Sequence, residues 1–420
     1  MNELVSDFRA PTTNFTLAAG LDTGPVPLEP YRSQAHFEQE VEQIFKRAWL
    51  CLGRVERLKE NGSYFVQPIE VAKASVLVTR TKDGEIRAFH NVCSHRSNTL
   101  VLDSEGTANR FVCRYHNWTY RNDGALAGVP DERNFFGIEK CDHGLTPIAI
   151  DIWEGWIFIN LQREPEVGLS EFLGDFGERY TGIPYQNADK SILYVSHLNA
   201  NWKVIADAFA ETYHIPAIHP ETIGSTFASK ENPFARPISV QTWGPHRSVS
   251  TYGNPEYAPP ERAKVERLAY STVEAGNVLS AAGLDVMEVF LRHPAVNPTK
   301  SRHWAVDVTW LFPHFQLDVS PGGFWTHHFW PVTQNTTRWE ARFYVPDAGD
   351  VWQRLQQEHY IARLGEILLE DVGNTERTQI GIESGAKDTM PLQDGEVMIR
   401  HNLHHIQKWI DADTVRAALA

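Results

Sequence analysis

The sequence predicts an α+β chain in which antiparallel sheets dominate and helices lie over one large, curved sheet. Three observations carry that expectation. Short strand-like runs bounded by turns, such as "ASVLVTR" and "GWIFINL", occur in the first 161 residues. Longer alternating runs, "RHWAVDVTWLF", "GGFWTHHFWPV" and "TRWEARFYVP", lie between 302 and 346, and alternation of this kind marks strands with one buried face. Helix-forming stretches begin near Trp202 and Val351, on either side of the long strands in the chain.

A chain of 420 residues accommodates two or three domains. Residues 1–45 read as an N-terminal tail and helix, with "YRSQAHFEQEVEQIFKRAWLCLG" as its amphipathic segment. Residues 46–160 read as a small antiparallel β module and 161–420 as a larger domain. At 42% hydrophobic and 11% aromatic residues, the composition excludes a disordered or fibrous chain. Thirty-nine basic against 53 acidic residues, a net charge of -14, argue against nucleic acid as a partner. The N-terminus lacks the basic-then-apolar order of a signal peptide, and no stretch approaches the roughly 20 apolar residues of a membrane span. Four cysteines do not make a disulfide scaffold. The expected setting is therefore the cytoplasm, without membrane association.

Two of those cysteines stand in "CSHRSNTLVLDSEGTANRFVCRYHNWTY". Cys93 and His95 form one pair, Cys113 and His116 the other. Each pair puts a thiolate and an imidazole on one tight loop, so two loops can close on one metal centre. A zinc site more often pairs like with like along the chain. A Rieske [2Fe-2S] centre holds one iron by two Cys and the other by two His, which suits the mixed order. Spacing alone leaves both open. The flanking "HNVCSHR" and "CRYHNWTYRNDGAL" resemble the Rieske family, with two departures: Ser97 and Asn117 stand where that family commonly has Gly. Asn tolerates a left-handed backbone, whereas Ser does so less readily.

A second constellation lies in "NANWKVIADAFAETYHIPAIHP". The stretch from Trp202 reads as a helix ended by Pro216, which puts Glu211 and His214 one turn apart on one face. His219 follows from the loop. Two His and one carboxylate make the facial triad of a non-haem Fe(II) oxygenase. The carboxylate is sought in "GEILLEDVGNTERTQIGIESG", where Glu370 and Asp371 are adjacent candidates. In contrast, His404 and His405 in "RHNLHHIQKWI" are expected on a C-terminal helix without a metal role. His327 or His328 on a strand faces either a pocket or water.

Taken together, "NWK…D…E-x-Y-H-x4-H" and the later "ED-x4-E-x2-Q-x-G" resemble the large (alpha) subunit of the Rieske non-haem iron aromatic-ring-hydroxylating oxygenases. The resemblance implies a Rieske domain plus a helix-grip (START-like) catalytic domain. It implies one [2Fe-2S] cluster on Cys93, His95, Cys113 and His116. It further implies one mononuclear Fe(II) on His214, His219 and Asp371, with Glu370 the rival acid. Glu211 takes the position of the carboxylate that bridges to the cluster of a neighbouring subunit, and Asp207 is the alternative. The family further implies a homotrimer, with or without a small beta subunit, and a separate NAD(P)H-dependent reductase, with or without a ferredoxin. No G-x-G-x-x-G follows a strand to suggest a built-in one. The leading expectation is hydroxylation of an aromatic or largely apolar substrate. The alternative is oxidative N- or O-demethylation, including quaternary amines, since Glu rather than Asp at 211 is similar to members acting on carnitine, choline or betaine. Phe209, Ala217 and Ile218 are expected to line the pocket, with "GNPEYAPPERAK" near its mouth.

Overall fold

The structure, a computed structural model, describes residues 14–272, 290, 292–320 and 322–420. The first thirteen residues of the expected tail lie outside the described residues. The chain divides into two compact units: Val41–Phe172, and a discontinuous unit joining the residues through Glu40 to Leu173–Ala420. The sequence suggests divisions near 45 and 160 instead. Glu40 belongs with the larger unit because its buried carboxylate accepts from Trp202 Nε1 at 2.9 Å and Lys203 Nζ at 2.6 Å. The N-terminal segment thus supplies a helix, Gln34–Glu40, and Leu50–Arg54 at the far end of the amphipathic stretch is already a strand.

The smaller unit contains a seven-stranded antiparallel sheet. Ala74–Arg80 and Trp156–Asn160 are among its strands, matching the short alternating runs. A separate three-stranded sheet joins Arg110–Val112, Thr119–Arg121 and Leu126–Gly128. Cys93 and Cys113 belong to the apolar cluster between these elements, beside Trp118, Tyr120 and Leu126.

The larger unit is built on a seven-stranded antiparallel sheet. Its central strands are Trp304–Leu311, Phe315–Ser320, Gly323–Thr333 and Thr336–Val345, paired in succession. Phe315–Ser320 is the strand the sequence reading passes over. Its "FQLDVS" alternates strictly, yet all six residues are buried. One face packs in the core and the other, polar, face looks into a cavity.

Helix Val351–Glu383 is 33 residues long and is started by Asp350, whose side chain accepts from Gln353 N. Its buried residues recur every three or four positions, from Gln357 through Tyr360, Leu364, Ile367 and Asp371 to Gln379 and Ile382. Such a stripe is the face a helix turns inward. Asp371 is a carboxylate on that stripe, whereas Glu370 is about 100° away around the helix.

The helix at Trp202 differs from expectation. It spans Trp202–Ala208 only, with Asn201 as its cap, and a new single turn runs Ile215–Ile218. A continuous helix would drive the Pro216 ring into the carbonyl of Thr212. The chain instead breaks at Phe209 and restarts so that Pro216 sits in a first turn, where its missing N–H costs nothing. Glu211 and His214 therefore lie in the break, and the helix does not reach them. Among the described residues, no helix is long and apolar enough to cross a membrane.

Candidate metal centres and active site

In the smaller unit two loops are built to one plan. Cys93 N donates to Asn98 O and Ser97 N to Cys93 O, at 2.9 and 3.0 Å; Cys113 N donates to Trp118 O and Asn117 N to Cys113 O, at 2.8 and 2.9 Å. The fifth residue of each loop is left-handed, and both Ser97 and Asn117 have φ 57°. The two departures from the family's glycines thus occupy equivalent backbone positions. Both cysteines are buried, while His95 and His116 are half-buried at the surface, their ring centroids 4.6 Å apart. His95 stacks on Trp118 at 4.9 Å. Burial raises the Cys93 thiol above its ordinary range, although Tyr120 hydrogen-bonds to its Sγ at 3.2 Å. Burial also opposes ionisation of Cys113, yet the Tyr115 N–H, the Cys93 thiol, the His116 N–H and the Asn98 amide together bring it below the usual value.

In the larger unit His214, His219 and Asp371 converge. One ligand atom from each lies within 4.8 Å of the others, and His219 Nε2 and His214 Nε2 stand 3.1 and 3.6 Å from Asp371 Oδ1. Each imidazole is held from behind by a different glutamate. Glu211 Oε1 lies 2.5 Å from His214 Nδ1, and Glu370 Oε2 lies 2.7 Å from His219 Nδ1. Glu370 also accepts from Thr222 Oγ1 at 2.5 Å. The two adjacent acids therefore separate: Asp371 faces the imidazole Nε2 atoms and Glu370 orients a ring. Burial opposes protonation of His219, but Asp371 and Glu370 outweigh it and raise its pKa. Such an anionic nest suits a divalent cation.

Asp207 points elsewhere. It accepts from the Tyr31 hydroxyl at 2.6 Å. Burial pushes its carboxyl up to about 7, against the pull of Tyr31, Arg247 and Lys203.

The three converging residues open on a cavity of about 400 Å³. Phe209 and Ile215 line it, as do Trp304, Trp325, Tyr257 and Tyr360. Ala217 and Ile218 are not among its lining residues, and Ala217 is exposed. On a single turn bounded by two inward histidines, Ile215 shares their side and Ala217 falls opposite. Tyr257, within "GNPEYAPPERAK", does reach the cavity. His327 lines it, while its neighbour His328 is buried but absent from the lining, as alternation on a strand requires.

A model of the "Ring hydroxylating alpha subunit (catalytic domain)" family matches residues 185–412, and one of the Rieske [2Fe-2S] domain matches 48–149. The chain belongs to the ring-hydroxylating oxygenase alpha subunits. Members carry a Rieske [2Fe-2S] cluster and a mononuclear iron. The chain is 32% identical over 200 residues to the glycine betaine monooxygenase oxygenase subunit of Pseudomonas aeruginosa, covering 47% of this chain and 45% of that one. It is 30% identical over 208 residues to the chloroplastic choline monooxygenase of Spinacia oleracea, covering 47% and 46%. It is 32% identical over 192 residues to the carnitine monooxygenase oxygenase subunit of Acinetobacter pittii, covering 45% and 51%. It thus spans about half the length of the curated relatives it matches.

Among solved structures, naphthalene 1,2-dioxygenase with indole bound superposes with TM-score 0.74 at 20% identity, covering 94% of each chain. A quaternary ammonium Rieske monooxygenase gives 0.71 at 21%, covering 96% of this chain and 100% of that one. These likenesses establish the shared fold.

The chain's own side chains fit the family's two groups. Two buried thiols and two half-buried imidazoles stand on the paired loops, and His116 Nδ1 is buried with no hydrogen-bond partner, as a nitrogen reserved for a metal would be. The facial set has two imidazole nitrogens and a carboxylate oxygen on one side. Gln316, Asp318 and the pairing of His327 are what sequence reasoning missed. The signal was the polar phase of "FQLDVS", which resembles a solvent-facing strand until its neighbours show both faces covered.

Proposed function

We propose that this chain is the terminal oxygenase of a multicomponent system, taking electrons from a separate reductase to monooxygenate a methylated, cationic amine. The convergence of His214, His219 and Asp371 at the cavity wall carries the reading. An iron held there would supply dioxygen activation. Asp371, His214 and His219 would hold it, while Glu370 and Glu211 fix the tautomers of the two rings. The cavity beside them, with its aromatic walls, leaves one side of the site for substrate.

Cys93, His95, Cys113 and His116 would hold the cluster. Glu211 is the proposed bridge to the cluster of a neighbouring subunit in a homotrimer. Its Oε1 is already on His214, and its Oε2 accepts from the backbone N–H groups of Tyr213 and His214, so its carboxylate is fixed. Asp207 is engaged by Tyr31 instead, which supports Glu211. The proposed compartment is the cytoplasm, in keeping with four unpaired cysteines.

Substrate choice moves from ring hydroxylation, the leading expectation, toward its alternative. The relatives named above act on glycine betaine, choline and carnitine by their names, and the tryptophan and tyrosine faces of the cavity suit a cation. Demethylation of a trimethylammonium group balances as one O2, two electrons and two protons giving the dimethylamine, formaldehyde, water and one proton. The test is a single turnover. Anaerobically reduced protein is mixed with O2 and a trimethylammonium compound, and formaldehyde is measured. A ring diol from an aromatic substrate, with no formaldehyde from any methylated amine, would return the reading to ring hydroxylation. Glu211→Gln should keep both metals yet lose about a hundredfold in turnover with the natural donor; unchanged turnover would move the bridge to Asp207.

A further inference from the structure

Among the described residues, the charges of the cavity can be accounted for one by one. Arg363 is the arginine in its wall, and Glu266, fully buried, takes its guanidinium. The Tyr257 hydroxyl donates to the other oxygen of Glu266 at 2.7 Å. That cation is already neutralised. His214, His219 and Asp371 belong to the metal set, and Glu211, which also lines the cavity, is taken up by His214 Nδ1 and the backbone N–H groups of Tyr213 and His214.

Asp318 remains. It is 2% exposed and lines the cavity, between Val308 and Trp325 on the neighbouring strands. Gln316 Nε2 donates to its two oxygens at 3.1 and 3.0 Å, and His327 Nε2 lies 3.2 Å from Oδ2.

The charge state of His327 follows from its other nitrogen. Trp339 Nε1 stands 3.2 Å from His327 Nδ1, and an indole N–H only donates. Nδ1 is therefore the acceptor and the single ring proton is on Nε2, donated to Asp318. The imidazole is neutral, so both partners of Asp318 are neutral donors. Among the described residues no Lys or Arg pairs with Asp318. A buried carboxylate without a counter-charge is costly. A cation entering the cavity relieves that cost.

We propose that Asp318, its orientation set by Gln316 and the His327–Trp339 pair, is the counter-ion for the ammonium group of the substrate. The preferred substrate is then an amine or quaternary ammonium cation lacking a carboxylate. A zwitterion would bring a carboxylate into a cavity whose arginine is committed to Glu266. The assignment rests on the reading that this cavity is the active site. Trp304, Trp325 and Tyr360 offer aromatic faces to the same cation.

The test is calorimetric titration of iron-loaded, anaerobic protein with choline, its uncharged isostere 3,3-dimethylbutan-1-ol, and glycine betaine. Choline should bind at least about tenfold more tightly than either. Asp318→Asn should bring choline to within about threefold of the isostere, and Asp318→Glu should restore part of the preference. Iron content and sulfide report that each variant is intact, and the wild-type ratios alone test the idea if a variant does not fold. Equal binding of the isostere, tighter binding of betaine, no binding of choline, or a choline preference unchanged in Asp318→Asn overturns the proposal. Formaldehyde release in the same samples reads the oxygenase assignment separately. Charge-selective binding without product keeps the counter-ion and removes the chemistry. Product formed with no charge selectivity does the reverse.

Discussion

The cysteine loops and the facial histidines solve the same problem, holding soft and borderline donors at fixed positions, by different means. In the loops the main chain does it: each loop closes on itself through two backbone hydrogen bonds and one left-handed residue. Around His214 and His219 the side chains do it, with one glutamate behind each ring. A site made by its own backbone is local and can be read from a short motif. A site that also needs Glu370 and Asp371 depends on a helix that begins more than a hundred residues later, and of its carboxylates only Glu211 is local.

The contrast can be broken most severely at Asp371. Asp371→Ala should lose the mononuclear iron and with it about a thousandfold or more of turnover, while the protein stays brown. An assay of iron against acid-labile sulfide reads this directly. Retention of the third iron would pass the ligand role to Glu370. A smaller effect is expected behind the ring: Glu370→Gln should weaken iron binding by about 10- to 100-fold, seen by competition with a chelator, and leave the sulfide content unchanged.

Asp207→Asn sharpens the separation of the two bridge candidates. The native carboxyl, raised to about 7 by burial, holds a proton that the unfolded chain has already released above about pH 4. The folded state then binds more protons, so stability falls as pH rises from about 4 to 7. Replacing Asp207 by Asn removes that fall. The variant's unfolding midpoint should gain more on the wild type at pH 8 than at pH 5, by about 1 to 2 kcal/mol when allowance is made for partial exposure. An equal gain at both pH values would mean that the carboxyl is not raised.

The smallest effect compares the twin loops. Ser97→Gly should stabilise by about 0.5 to 1 kcal/mol, since a left-handed serine is strained and the larger unfolded-state entropy of glycine offsets only part of the strain relieved. Asn117→Gly should be close to neutral. Denaturant midpoints of the two variants measure the difference, and equal shifts would show that the two positions are not energetically distinct.

Much of this was legible in the sequence. The two Cys–His loops were readable because all four donors fall within a short segment. The long strands were readable from alternation, and Asp371 from a resemblance that singled it out. The break between Ala208 and Ile215 was not: helix formers continue through it, and only the incompatibility of Pro216 with the carbonyl four residues earlier forces the interruption. Ala217 and Ile218 were misassigned as lining for the same reason, since one isolated turn has a different inward face from a long helix. Asp318 was illegible because a polar residue on an alternating strand ordinarily means water, and only tertiary neighbours reveal a cavity there.

That alternation has a practical side. Along Phe315–Ser320, positions 315, 317 and 319 carry the sheet's packing while 316 and 318, with 320, face the cavity. Recognition and folding are therefore written on alternate letters of one six-residue word. A combinatorial library confined to the even positions would explore substrate preference while leaving the odd, fold-bearing residues in place.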